Sequence, residues 1–278
     1  MIKIAVIGIA GQSVFLSVDE FNKIGETATA KSFHDELGGK GFNQAVAAVK
    51  SGAEVSFLCA CYKDAVKEYE KVSKDLDIKP FFIAKKERSP YAVIITDKKG
   101  DNSVTVYRGA ELNEEDVEEF ADEIKSANIL LINNEVPQAV NDKAVEIAKV
   151  FGVKVILNPA PYRENKKEFL DKIDLFTPNE HETKGLEGYK NVIETQGEKG
   201  AFIKELNITV PAVKVEKVVD TTGAGDTFNG VLAVSLAEGQ DIKSACKIAN
   251  LASAIKVARK YILNSIPTRK EIEEYEEK

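Results

Sequence analysis

The chain has 278 residues, 44% of them hydrophobic and 30% charged, the balance of a globular protein with room for one large α/β domain and a small appendage. A formal net charge of −7 argues against nucleic acid as a partner, because phosphate backbones demand a basic footprint, but not against a nucleotide in a local pocket. No apolar stretch approaches the ~20 residues a membrane span needs, and residues 1–8 open directly as a buried strand, so a cytoplasmic protein without a leader is expected.

Apolar strand-like runs at 2–7, 55–59, 129–132, 153–157, 175–177, 192–195 and 201–203 alternate with amphipathic segments near 41–51, 64–76, 113–126, 138–152 and 164–173. Such alternation predicts a parallel sheet with helices on both faces. Two stretches break the rhythm. Residues 12–37 alternate over Val14, Leu16 and Val18 and continue through Thr27, Thr29 and Lys31. Residues 90–109 read as a hairpin, 91–96 and 103–107, around the turn Asp97-Lys98-Lys99-Gly100-Asp101-Asn102. Strands inserted at two separate places predict a small antiparallel sheet acting as a lid. The expected division is therefore 1–11, 38–89 and 110–278 for the α/β body, and 12–37 and 90–109 for the lid.

Cys59, Cys61 and Cys246 are an odd set, and Cys59 and Cys61 fall on one face of a strand. With His34 and His181 the only histidines, packing as reduced thiols is expected rather than a metal site. A last helix starts at a capping box, Thr268 with Glu271, and its charged run to Lys278 reads as a solvated face.

The most informative run is Asp220-Thr221-Thr222-Gly223-Ala224-Gly225-Asp226-Thr227-Phe228-Asn229-Gly230. A Val-rich strand, 213–219, is expected to lead into it. A helical pattern follows, with Phe228, Val231, Leu232, Ser235 and Leu236 three and four apart. A Gly-rich bend between strand and helix leaves backbone N–H groups unpaired at the helix N-terminus, where they suit an anion such as phosphate. Asp226 then stands where a carboxylate can take a proton from an attacking hydroxyl. The same pattern also fits a plain helix cap after a tight turn. A second Gly-rich entry to a helix, Gly38-Gly39-Lys40-Gly41-Phe42-Asn43-Gln44-Ala45, adds a cation and an amide.

Together with Asn158-Pro159-Ala160-Pro161 and Thr177-Pro178-Asn179-Glu180-His181-Glu182, these runs resemble the ribokinase branch of the PfkB carbohydrate kinases, in the family's order along the whole chain. The resemblance implies a three-layer α/β/α domain with a mostly parallel central sheet and a small β lid. It implies an ATP-dependent kinase that phosphorylates a primary hydroxyl of a sugar or sugar-like molecule. The alternating lid strands expose one apolar face that a small sheet cannot cover alone, which predicts a homodimer through residues 12–37 and 90–109. Carried over residue by residue, Asp226 is the catalytic base and Gly223, Ala224 and Gly225 supply the anion hole. Gly39, Lys40, Asn43 and Glu135 match sugar contacts. Asn179 and Glu182 organise Mg²⁺ through water, an outer-sphere role that suits an ion reluctant to dehydrate. Thr195, Gly197 and Gly200 form the nucleotide-phosphate loop, and Asn250 flanks the adenine. Asp220, Thr222 and Ser265 are the positions for K⁺.

Three departures from the family pattern stand out. Ser13 replaces an Asp that binds two neighbouring sugar hydroxyls, and Gly11 stands where Asn would be. A carboxylate accepts two charge-assisted hydrogen bonds, whereas Ser offers one neutral group. The segment between Glu182 and Thr195 is short by a helix. Bulky Tyr261 occupies a position where the cation loop expects Gly. A nucleoside kinase on the same fold is the alternative, with Phe15, Phe33 and Tyr107 to line a slot for the base. A catalytically silent sugar-binding or regulatory protein is a third reading, which the intact Asp226 run opposes.

Overall fold

The computed structural model describes residues 1–99 and 101–276, with backbone alone at Asn102. The first half contains β1 (Lys3–Ile7), β2 (Gly11–Ser17), β3 (Ser32–Gly38), α1 (Lys40–Lys50), β4 (Glu54–Tyr62), α2 (Val66–Asp75), β5 (Ile78–Lys85), β6 (Tyr91–Thr96) and β7 (Asn102–Tyr107). Next come α3 (Glu114–Glu119), α4 (Ala121–Ser126), β8 (Ile129–Asn133), α5 (Gln138–Val150), β9 (Lys154–Asn158), α6 (Lys167–Leu170) and β10 (Leu175–Phe176). The last part holds β11 (Ile193–Thr195), β12 (Ala201–Ile203), β13 (Ile208–Val210), α7 (Ala224–Ala237), α8 (Ile242–Val257) and α9 (Arg269–Glu276).

Six strands form the central sheet in the order β10-β9-β8-β1-β4-β5, and every pairing in it is parallel. Parallel strands are covered on both faces, and the side-chain alternation divides the core accordingly. Ile4, Val6, Val55, Phe57, Cys59 and Cys61 point toward α1, α7 and α8. Ala5, Ile7, Leu58, Leu130, Ile132 and Val155 point toward α3, α4, α5 and α6. Fully buried Phe42 and Phe57 pack with ring centroids 5.7 Å apart, an aromatic contact worth ~0.5–1.5 kcal/mol beyond its buried area. Cys59, Cys61 and Cys246 are free and buried, and burial raises the Cys61 thiol to about 11.

Two glycines set how closely the layers approach. A Cβ on Gly41 would sit 2.6 Å from the Gly8 Cα, so α1 can start against the end of β1 only without side chains there. A Cβ on Gly230 would come within 2.5 Å of both Ala47 Cβ and the Gln44 carbonyl, so α7 lies directly on α1.

A second sheet, the lid, runs β3-β2-β6-β7. Its two hairpins are antiparallel internally, while β2 and β6 pair in parallel where the hairpins meet. The expected strand pattern over 12–37 stops at Ser17 and resumes at Ser32; residues 18–31 are exposed except for Val18, even at Phe21 and Ile24, and form a loop because no partner strand reaches Thr27 or Thr29. The 91–107 hairpin forms as expected, although Gly100 of its turn lies outside the described residues.

Other expectations shift. The runs at 192–195 and 201–203 join β13 in a separate antiparallel sheet, linked to the main one by the Phe176–Val192 bridge. The Val-rich run 213–219 is not a strand: Lys214, Glu216 and Lys217 interrupt it and no strand flanks it, so it crosses as an irregular segment tied by the Val219 N–H to Val257 O. Helix 113–126 breaks at Phe120 into two short helices, and only 167–170 is helical near 164–173. No helix among the described residues is long and apolar enough to cross a membrane. The capping box at Thr268 and Glu271 is made, and its helix buries Ile272 while residues 273–276 are exposed; Lys278 lies outside the described residues.

Candidate active site

Strand β1 has β4 on one side and β8 on the other, so the order in which successive strands are added reverses there. Ligands of open α/β sheets bind at the carboxyl ends of strands at such a switch point. The predicted residues Gly39, Lys40, Asn43, Glu135 and Asp226 converge on that place.

Asp226 occupies the first turn of α7, behind Gly223, whose left-handed backbone (φ 76°) caps the helix. The carboxylate is 6% exposed. Asn43 Nδ2 donates to its Oδ2 at 2.9 Å and Gln44 Nε2 to its Oδ1 at 3.2 Å. Gln44 Nε2 also reaches Asn158 Oδ1, at 3.2 Å, and Asn158 Nδ2 donates to Thr177 O at 2.9 Å. Thr177 Oγ1 bonds Asn229 Oδ1, and Asn229 Nδ2 returns to Gly225 O at 2.8 Å. A circuit of hydrogen bonds through α1, β9, Thr177 and α7 thus fixes the carboxylate. Gln44 belongs to a run quoted in the sequence but was not among the expected site residues; its signal was its place directly after Asn43.

The oxygen Oδ1 of Asn43 is buried with no partner, an unspent acceptor of the kind a polar ligand can satisfy. Lys40, at the start of α1, is drawn down by burial, but Asp226, Glu135 and Glu182 outweigh that and hold its ammonium above the usual value. Burial pushes the Glu135 carboxyl up to about 8 against the pull of Lys40, and Asp226 adds to the rise. Glu135 also receives the Gly41 N–H at 3.4 Å. It faces a small crevice with Gly8, Ile9, Arg108 and Glu111. Gly39 has φ 111° and lies against the Ile9 carbonyl, which a Cβ would approach to 2.5 Å.

The amides at the head of α7 are not all equivalent. Ala224 N–H is already bonded to Thr221 O at 3.1 Å. The first turn of a helix leaves its remaining N–H groups without internal partners, which singles out Gly225 and Asp226. A Cβ on Gly225 would meet nothing within 4 Å, so this stretch of backbone is open to a ligand.

The lid contributes Ser13, buried on β2 and packed against Gly38. Glu36, missed in the sequence, lies opposite Ser13 in the β2–β3 register. It accepts the Ile262 and Leu263 N–H groups at 2.8 and 3.1 Å, fastening lid to body. Strand alternation corrects the expected nucleoside slot. Phe15 shares a face with Ser13 and stacks near His34 and Tyr261, while Phe33 and Tyr107 pair with residues of the opposite face and are exposed. The three aromatics do not line one slot.

Asn179 and Glu182 form one turn: Asn179 N–H donates to Glu182 Oε2 at 3.0 Å, and His181 N–H to Asn179 Oδ1 at 2.8 Å. A bridge from Asn179 to Thr195 sets this turn beside the 195–200 loop, where Gly197 (φ 55°) and Gly200 (φ 105°) both need positive φ. No helix intervenes between Glu182 and Thr195. A cleft of about 320 Å³ lies there, lined by Pro159, Tyr162, Arg163, Glu182 and Lys184. Asn250 stands apart, its amide donating to Val210 O at 2.9 Å and Pro211 O at 3.2 Å, which clamps the end of β13. Among the described residues no three His, Cys, Asp or Glu side chains gather as metal ligands.

Residues 1–269 match the profile of the pfkB family carbohydrate kinases. The ribokinase of Haemophilus influenzae is 34% identical, covering 98% of this chain and 97% of its own. The deoxyribokinase of Salmonella typhimurium is 32% identical, with 98% of each chain covered. The structure of Arabidopsis thaliana ribokinase complexed with ribose and ATP superposes with a TM-score of 0.84 at 27% identity, covering 99% of this chain and 98% of that one. This chain belongs to the pfkB family and is an ATP-dependent carbohydrate kinase.

Proposed function

We propose that the chain transfers the γ-phosphate of ATP to a primary hydroxyl of a sugar or sugar-like acceptor, with Asp226 as the general base. The observation that carries this reading is the buried Asp226 carboxylate at the head of α7, held by Asn43 and Gln44 beside open backbone amides. Phosphoryl transfer asks the protein mainly for positioning and charge stabilisation. Asp226 accepts the proton of the acceptor hydroxyl as its oxygen attacks the γ-phosphorus and the bond to ADP breaks. The Gly225 and Asp226 amides stabilise charge on the transferring group. Lys40, Asn43, Glu135 and Ser13 orient the acceptor. Thr195, Gly197 and Gly200 border the nucleotide phosphates, and Asn250 supports the adenine side through its clamp on 210–211.

Asn179 and Glu182 suit Mg²⁺ held through water, since Glu182 keeps one oxygen free of the turn; the ion would neutralise phosphate charge. The acceptor is a small molecule, and the relatives' names, ribokinase and deoxyribokinase, support a pentose-like size. The exposed aromatic side chains Phe33, Tyr91 and Tyr107, on one face of the lid, support a homodimer through residues 12–37 and 90–109, and free buried thiols support a cytoplasmic location. The test is an ATP-consumption screen with Mg²⁺ over pentoses, hexoses, ketoses and nucleosides. Turnover with at least one sugar or nucleoside is expected, and none with any would contradict the reading.

A further inference from the structure

Two of the residues expected to hold K⁺, Asp220 and Ser265, are already engaged. Asp220 Oδ1 accepts the Thr222 N–H at 2.9 Å, and its Oδ2 accepts the Tyr261 N–H at 3.0 Å. Ser265 Oγ is turned to the Tyr261 and Ile262 carbonyls, at 2.7 and 2.8 Å. Tyr261 itself has φ 64° and stacks on His34 with centroids 3.6 Å apart, filling the place of a small residue. The carbonyl of Asp220 has a partner too: Lys256 Nζ, at 2.8 Å.

Lys256 is 0% exposed, the one buried lysine among the described residues. It sits in the last turn of α8, between Ile255 and Val257, on a face a solvated lysine would avoid. A buried charge persists only when compensated. Burial draws the ammonium below its usual value, and Asp220, Glu36 and Asp226 oppose that. The next residues after Asp220 are the turn into α7, whose amides and Asp226 form the candidate site. The backbone of Asp220 is held from α8 again by its own N–H, which donates to Val257 O at 3.1 Å.

We propose that the Lys256 ammonium takes the place of a bound monovalent cation, holding the 220–223 turn so that the α7 amides stay aimed, and that the enzyme therefore works without K⁺. An ammonium carries the same single charge as K⁺ and offers three directed donors to oxygens. Lys256 is a positioning residue, touching no reacting atom. The inference rests on the kinase reading only where activity is measured.

The experiment compares KCl, NH₄Cl and tetramethylammonium chloride at equal ionic strength, for the wild-type protein and for Lys256→Ala. Wild-type kcat and Tm should be alike in all three salts. Lys256→Ala should lose roughly 10- to 100-fold in kcat in tetramethylammonium, the scale of a small misplacement of reacting groups. K⁺ or NH₄⁺ should restore much of that loss and raise the variant's Tm. Wild-type activation or stabilisation by K⁺ of several-fold or several degrees would overturn the proposal. So would a folded variant that loses activity beyond rescue by either ion, or one that loses none. If Lys256→Ala does not fold, the wild-type salt response decides alone. If no acceptor supports turnover, the kinase reading fails, and the Tm measurements still test the cation claim.

Discussion

Asn43 Nδ2 donates to Asp226 Oδ2 at 2.9 Å although the two residues are 183 positions apart. The contact exists because α1 and α7 touch backbone to backbone where Gly230, one turn beyond Asp226, meets Gln44 and Ala47. Substituting Gly230→Ala forces the helices apart, at a cost of about 1–3 kcal/mol for overpacking. It should also lower kcat without comparable loss of ATP affinity, because Asp226 moves relative to Asn43 and Gln44. Thermal melts with steady-state kinetics check this; an unchanged Tm and kcat would mean that the helix contact does not position the carboxylate.

Substrate choice turns on Ser13. A lost set of hydrogen bonds to a charged acceptor is worth ~1.5–3 kcal/mol, or about ten- to a hundred-fold in specificity. D-ribose should therefore be a poor acceptor and another polyol, ketose or nucleoside clearly better. Ser13→Asp should raise kcat/KM for ribose, provided the new side chain keeps clear of Gly38, which Ser13 already crowds. Efficient wild-type use of ribose with no competitive alternative would count against this account.

Glu135 gives the protein a pH signature. Its carboxyl lies at about 8 in the folded chain and near ~4.3 when unfolded, so the folded state binds that proton more tightly. The resulting stability is fully present below the unfolded value and is lost as pH rises through about 8. Wild-type Tm should fall across that window more steeply than the Tm of Glu135→Gln, which is neutral throughout. Groups common to both proteins cancel in the comparison, and equal slopes would remove Glu135 as the cause. Lys40, held above its usual value by Asp226, Glu135 and Glu182 against burial, stays charged over the same range.

The parallel sheet was legible because its strands are short apolar runs separated by amphipathic helices, and the Asp226 loop because glycine and carboxylate spacing is local. What the sequence concealed depends on tertiary partners. Thr27 and Thr29 alternate as a strand would but have no neighbour, and the valines of 213–219 cross without one. Gln44, Glu36 and Lys256 reach residues 182, 226 and 36 positions away, and no local pattern announces such contacts. The direction of Phe15 against Phe33 and Tyr107 depended on register, which the β2–β3 pairing of Phe15 with His34 settles.

The exposed Phe33, Tyr91 and Tyr107, on the lid face opposite Ser13, should be covered in solution by a second copy of the chain. Sedimentation velocity at micromolar concentration should show a dimer, and a charge placed on that face, as in Phe33→Glu, should shift it toward monomer. A wild-type protein that sediments only as monomer contradicts the interface.

The central claim is that Asp226 removes the acceptor's proton, and the most direct measurement is kcat of Asp226→Asn on the best acceptor found by the ATP-consumption screen. The amide keeps the size of the carboxylate and can still meet Asn43 or Gln44, so fold and ATP binding should persist. Turnover should fall by roughly 10²-fold or more, the usual cost of losing a general base. A folded Asp226→Asn protein turning over near the wild-type rate would contradict the account.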